Sequence, residues 1–105
     1  MPYKTGFVAK APGSDPKKHR ASIKTPKIEI TAVVCGLDTN QLVDTCKELV
    51  KTEGIQALIL CPGCTHEEVA KVVSAVGPGV AVNVARGDPP SGMITGQILA
   101  KEWFS

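Results

Sequence analysis

Cys61-Pro62-Gly63-Cys64 is the densest run of reactive side chains in the sequence. Two thiols three residues apart have the spacing a reversible dithiol requires, and free N–H groups at a following helix start would favour the thiolate. The same two sulfurs are half of a tetrahedral zinc set. No second C-x-x-C exists, so Cys35, His66 or His19 would have to complete it. A third chemistry uses Cys61 alone as nucleophile or polar contact, with His19 or His66 as acid or base and Gly63 admitting a ligand close to the backbone. Against all three stands ordinary burial, since free cysteine behaves as a small apolar side chain; Cys35 and especially Cys46 suit core positions.

Arg20 and Arg86 are the only arginines. A guanidinium grips a carboxylate or phosphate bidentately, so the two are candidate anion clamps; the alternative is a pair of solvated surface arginines. The helix start at Thr65 offers a further place for a small anion. Neither G-x-G-x-x-G nor G-x-x-x-x-G-K-[ST] occurs, which leaves dinucleotide and P-loop readings without a motif. Residues 1–27 hold seven Lys/Arg against Asp15 alone, a net +6, while residues 28–105 carry −4. That basic stretch lacks interleaved aromatics and matches no nucleic-acid module, so nucleic acid is not expected as a partner.

The elements that must position these residues follow from pattern. Gly6 to Ala11 reads as a first strand stopped by Pro12-Gly13. Asp15-Pro16 then has the form of a helix start, predicting a short helix to about Lys24 that would carry His19 and Arg20. Ile28 to Cys35 and Ile55 to Cys61 read as buried strands. Between them, Asp38-Thr39-Asn40 caps a helix with Leu42, Val43, Cys46, Leu49 and Val50 on one face, ended by Gly54. Thr65-His66-Glu67-Glu68 has capping-box form ahead of Val69, Val72, Val73 and Val76, and Val80 to Ala85 reads as the last strand.

The expectation is an α/β fold, β-α-β-α-β-α-β with a four-stranded mostly parallel sheet, flavodoxin-like or half-barrel-like; a ferredoxin-like α+β fold is the alternative. In such a sheet the loops after the strands gather at one edge, where ligands bind. A chain of 105 residues, 43% hydrophobic, closes one core and not two, so a single domain is expected. Residues 88–105 read as a C-terminal extension whose Trp103 and Phe104 dock on the body or on a neighbouring subunit. No apolar run approaches the roughly 20 residues needed to span a bilayer, and no signal-peptide pattern is present. The default is cytoplasmic, with reduced thiols.

Ala11-Pro12-Gly13, Asp15-Pro16, His19-Arg20 and Ile23-Lys24-Thr25, with the Leu60-Cys61 strand end and the Val82 to Arg86 strand, resemble a family of small bacterial α/β proteins known only as a domain of unknown function. The similarity covers most of residues 5–87. The family's loop after the third strand resembles C-G-G-x-G, which Cys61 matches while Pro62 and Cys64 depart, so the resemblance favours Cys61 over the pair. It implies an address for a site and no reaction. The sequence thus points to a small homo-oligomeric α/β protein binding a small anionic metabolite at the carboxyl edge and acting on it through Cys61. The alternative is a metal-binding or thiol-redox accessory protein using Cys61 and Cys64, with Cys35 as a further metal ligand and zinc as the metal.

Overall fold

The computed structural model describes residues 1–104. Eight elements follow in order: β1 (Tyr3–Lys10), β2 (Arg20–Lys24), β3 (Ile28–Cys35), α1 (Thr39–Glu53), β4 (Ala57–Leu60), α2 (His66–Val76), β5 (Ala81–Val84) and α3 (Ser91–Glu102). The five strands form one sheet in the order β2-β3-β1-β4-β5. β3, β1, β4 and β5 are parallel neighbours, and β2 is the antiparallel edge. The fold is therefore mixed α/β with a mostly parallel sheet, with one strand more than the four expected and without the ferredoxin-like arrangement.

The extra strand lies where a helix was expected. Asp15-Pro16 does start a turn: the Lys18 and His19 N–H groups both donate to the Asp15 carbonyl, and the Asp15 side chain accepts from the Lys17 N–H. After that single turn the chain extends into β2 and pairs with β3. The physical reason lies in the period of residues 20–24. Arg20 and Ser22 turn toward α1 and Thr31 while Ala21 and Ile23 face away, an alternation that fits a strand and offers a helix no coherent apolar stripe. Thr25 closes the β2–β3 connection, its backbone N–H and its hydroxyl both donating to the Ile28 carbonyl.

The remaining elements form for the reasons their sequences give. Asp38 caps α1 by accepting from the Gln41 N–H, and Gly54 ends it at φ 70°, a left-handed conformation that favours glycine. Thr65 caps α2 with the full reciprocal capping box, Glu68 returning to the Thr65 N–H. α1 and α2 pack against each other on one face of the sheet. Between helices and sheet lies the core, built on Val8, Val33, Leu42, Leu49, Leu58, Leu60 and Val72 with Cys35 and Cys46 among them.

Two consequences bear on function. The chain leaves β1 toward β3, while β4 lies on the other side of β1, so the connections at the carboxyl ends of β1 and β4 diverge, the position at which ligands bind in open parallel sheets. Cys61 follows β4 directly and stands at that divergence. In addition, among the described residues no helix covers the sheet face opposite α1 and α2. The pairs Phe7–Ala32, Phe7–Ile59, Ile23–Ile30 and Tyr3–Ile28 place an apolar surface there. Among the described residues, no helix is long and apolar enough to cross a membrane.

Leu58 sits wholly buried at the centre of the core. Leu58→Ala is expected to cost about 2–5 kcal/mol of stability, combining lost transfer energy with an unfilled cavity. Urea unfolding of the variant against the parent sequence measures it.

Candidate functional site

Lys10 ends β1 with its side chain on the helix-covered side of the sheet, in register with Cys35 of β3. Its ammonium meets Glu68, in the first turn of α2, at 2.7 and 2.8 Å to the two carboxylate oxygens. Both side chains are nearly closed to water, 11% and 6% exposed. Thr39, the first residue of α1, donates its hydroxyl to the same carboxylate at 2.7 Å, and the Thr65 N–H donates at 3.0 Å. One carboxylate thus ties together the end of β1 and the starts of α1 and α2.

Burial alone would raise the Glu68 pKa, but the Lys10 hydrogen bonds, the Thr65 N–H, the Thr39 hydroxyl and the Lys10 charge outweigh it and hold the carboxyl at about 2. Burial would likewise lower the Lys10 pKa, and the Glu68 carboxylate reverses it, so the ammonium titrates above its usual 10.5. The pair is charged throughout the neutral range.

Cys61 and Cys64 occupy the loop between β4 and α2, directly beside this pair. The Cys61 N–H donates to the Val8 carbonyl at 3.0 Å, extending the sheet one residue past β4, and the Cys64 N–H closes a turn on the Cys61 carbonyl at 3.1 Å. That turn brings Sγ of Cys61 to 3.9 Å from Sγ of Cys64. The two thiols differ sharply in surroundings: Cys61 is partly open to solvent and Cys64 is buried, 8% exposed.

Their acidities separate accordingly. The Cys64 thiol donates to the Cys61 sulfur, the largest influence there; burial opposes it, and the backbone N–H groups of Lys10 and Gly63 with the Lys10 charge add to it. Together they bring Cys61 down from 9.0 to about 5. Cys64 is pushed up, first by donating to Cys61, then by burial and by the negative charges of Cys61 and Glu68. The surroundings thus favour negative charge on Cys61, with Cys64 as its protonated partner. Cys35, buried beneath Lys10, is raised first by burial and then by the Cys61 charge, and Cys46, in the core, is pushed up by burial to about 12.

Most of the other residues singled out from sequence are engaged with partners of their own. His19 is exposed and accepts the Asp15 N–H at Nδ1, closing its own turn at 2.8 Å. Arg20 is held between the Pro16 carbonyl and Glu48 of α1, and it lines a cavity of about 470 Å³ whose walls include Asp15, Asp38 and Asp44. Arg86 is exposed and paired with Asp88 two residues on. Each guanidinium thus has its own carboxylate partner. His66 is exposed at the start of α2, and the Thr65 hydroxyl is engaged as the α2 cap. Gly63 is exposed, and a Cβ there would lie 3.8 Å from Sγ of Cys61, so a larger residue would cover part of the sulfur. Among the described residues no three His, Cys, Asp or Glu side chains are grouped to hold a metal ion, so Cys35, Cys61 and Cys64 are not drawn together as a zinc set.

Sequence reasoning missed Lys10, Thr39 and the interior role of Glu68. A signal was present for Lys10: it shares strand parity with Val8 and therefore faces the helices.

A small, mostly parallel α/β sheet with a polarised thiol pair at the carboxyl end of an inner strand and a buried ion pair behind it defines the class. The chain belongs to the family of unknown function DUF6506, whose profile matches residues 3–99. No curated protein and no solved structure matches the chain.

Glu68 provides a direct check of the ion pair. Because its folded pKa lies below the usual 4.5, its contribution is complete above that pH and is lost as the pH falls toward 2. The shift corresponds to about 3 kcal/mol. Glu68→Gln is expected to flatten the loss of stability between pH 4.5 and 2 seen in the parent protein, and to cost about 3–5 kcal/mol at pH 7 by leaving a buried ammonium unpaired. Urea titrations across that range measure both.

Proposed function

We propose that the protein is a thiol–disulfide exchange protein in which Cys61 attacks and Cys64 resolves. The observation that carries this reading is the 3.9 Å approach of the two sulfurs with one partly open and the other buried. Attack needs an accessible thiolate, and resolution needs a second sulfur within a side-chain rotation of the first.

The chemistry closes without further components. The Cys61 thiolate displaces one sulfur of a disulfide substrate, forming a mixed disulfide and releasing a thiolate. Cys64 then loses its proton to the solvent, and its sulfur attacks Cys61, releasing the second substrate thiolate. Two electrons pass from the protein dithiol to the substrate, and the released thiolates take up protons according to their own pKa. Glu68 serves as no base in this sequence, since Lys10 and Thr39 hold it ionised and occupied. Its part is to anchor α2, and Lys10 contributes positive charge beside the attacking sulfur.

A second reading, in which Cys61 alone acts on a small anionic electrophile, is supported by the same Lys10 charge. The two differ in their dependence on Cys64. Incubated with oxidised glutathione, the parent protein is expected to form an internal disulfide and retain no glutathione. Cys64→Ser is expected to accumulate one glutathione adduct on Cys61, and Cys61→Ser none at either position. Intact mass and peptide mapping read all three. Equal adduct on the parent protein and Cys64→Ser would favour the lone nucleophile. Iodoacetamide labelling of Cys61 against pH is expected to reach half its maximum rate near pH 5, and to shift upward in Cys64→Ala, which removes the donor.

A further inference from the structure

α3 buries none of its residues, although it carries Met93, Ile94, Ile98 and Leu99 and is followed directly by Trp103 and Phe104. Met93 is 68% and Ile98 54% exposed. A contiguous group of exposed apolar side chains of this kind marks an interaction surface. The same chain leaves the sheet face opposite α1 and α2 uncovered, with Tyr3, Ile23 and Ile30 open to solvent and Phe7, Val34 and Ile59 partly so. Mostly parallel sheets are stable with both faces covered. Each chain therefore carries one apolar helix without a bed and one apolar bed without a helix.

The size of the exposed surface says the same. A folded monomer of 11.0 kDa is expected to expose about 5,600 Å². This chain exposes 6816 Å², an excess of roughly 1,200 Å² over that scaling. Its radius of gyration, 14.0 Å, likewise exceeds the roughly 13 Å of a closed domain of this length. An excess of that size on each copy meets the roughly 1,200–2,000 Å² of total buried surface that a stable interface requires.

We propose that the chain forms a two-fold homodimer in which α3 of each copy lies across the open sheet face of the other, over β1 and β3. The exchange is isologous, so the same two surfaces meet twice and no apolar helix is left over to propagate a chain. It also gives the sheet its second covering layer, which the β1–β3 connection fails to supply because residues 20–24 form an edge strand instead of a helix.

Sedimentation equilibrium and light scattering of the full chain test this, using Ile98→Asp on the helix and Ile30→Asp on the sheet. Both positions are exposed in the single chain, so each variant is expected to fold. The parent protein is expected to be dimeric and each variant alone monomeric. Mixed in equal amounts, the two variants are expected to regain dimer, because the intact helix of Ile30→Asp meets the intact sheet of Ile98→Asp. A monomeric parent, a larger assembly, a dimer indifferent to either substitution, or monomeric variants that fail to complement each other would each overturn the proposal.

Discussion

The contact between Lys10 and Glu68 holds the functional edge in place. Two opposite charges are removed from water together, and their desolvation is offset only because every acceptor position on the carboxylate is filled, by the ammonium twice, by the Thr39 hydroxyl and by the Thr65 N–H. These donors come from the end of β1, the start of α1 and the start of α2, so the arrangement fixes three chain segments at once. The loop holding Cys61 and Cys64 is strung between β4 and the cap of α2. Its geometry follows from the placement of that cap.

From this constraint the unequal acidity of the two thiols follows. The Lys10 charge favours the thiolate at both sulfurs, while the Glu68 charge opposes it at Cys64, so the ion pair favours ionisation of the accessible sulfur over the buried one. The hydrogen bond between the thiols acts in the same direction. Depth in the fold and local field thus agree on which sulfur carries the charge. The partial exposure of Cys61 leaves that sulfur open to solvent.

Much of the fold was legible in the sequence because its signals were local. The capping residues Asp38 and Thr65, the terminator Gly54 and the β-branched run Ile28 to Cys35 each act within their own element, and each stands where it was expected. Residues 15–24 were misread because Asp15-Pro16 is a valid helix start that the chain uses for one turn only. The polar–apolar alternation of Arg20 to Lys24 marks the change to a strand, and pairing with the β3 edge completes it. The site was legible in part. Cys61 and Cys64 were marked by spacing and Thr65 by its capping box, but the buried partner of Glu68 lies 58 residues away in sequence. His19, Arg20 and Arg86 were rightly placed near the carboxyl edge. Their partners, Asp15 for His19, Glu48 with the Pro16 carbonyl for Arg20 and Asp88 for Arg86, were not legible from spacing.

The central claim is that Cys61 and Cys64 form a working redox couple. Its most direct measurement is the equilibrium of the protein across glutathione buffers of graded potential, acid-quenched, alkylated and read by intact mass with peptide mapping. The account predicts one two-electron transition, between about −270 and −120 mV as for other exchange dithiols, with the lost hydrogens assigned to Cys61 and Cys64. A protein that keeps both thiols reduced in the most oxidising buffer, or that links Cys61 to Cys35 instead, would contradict it.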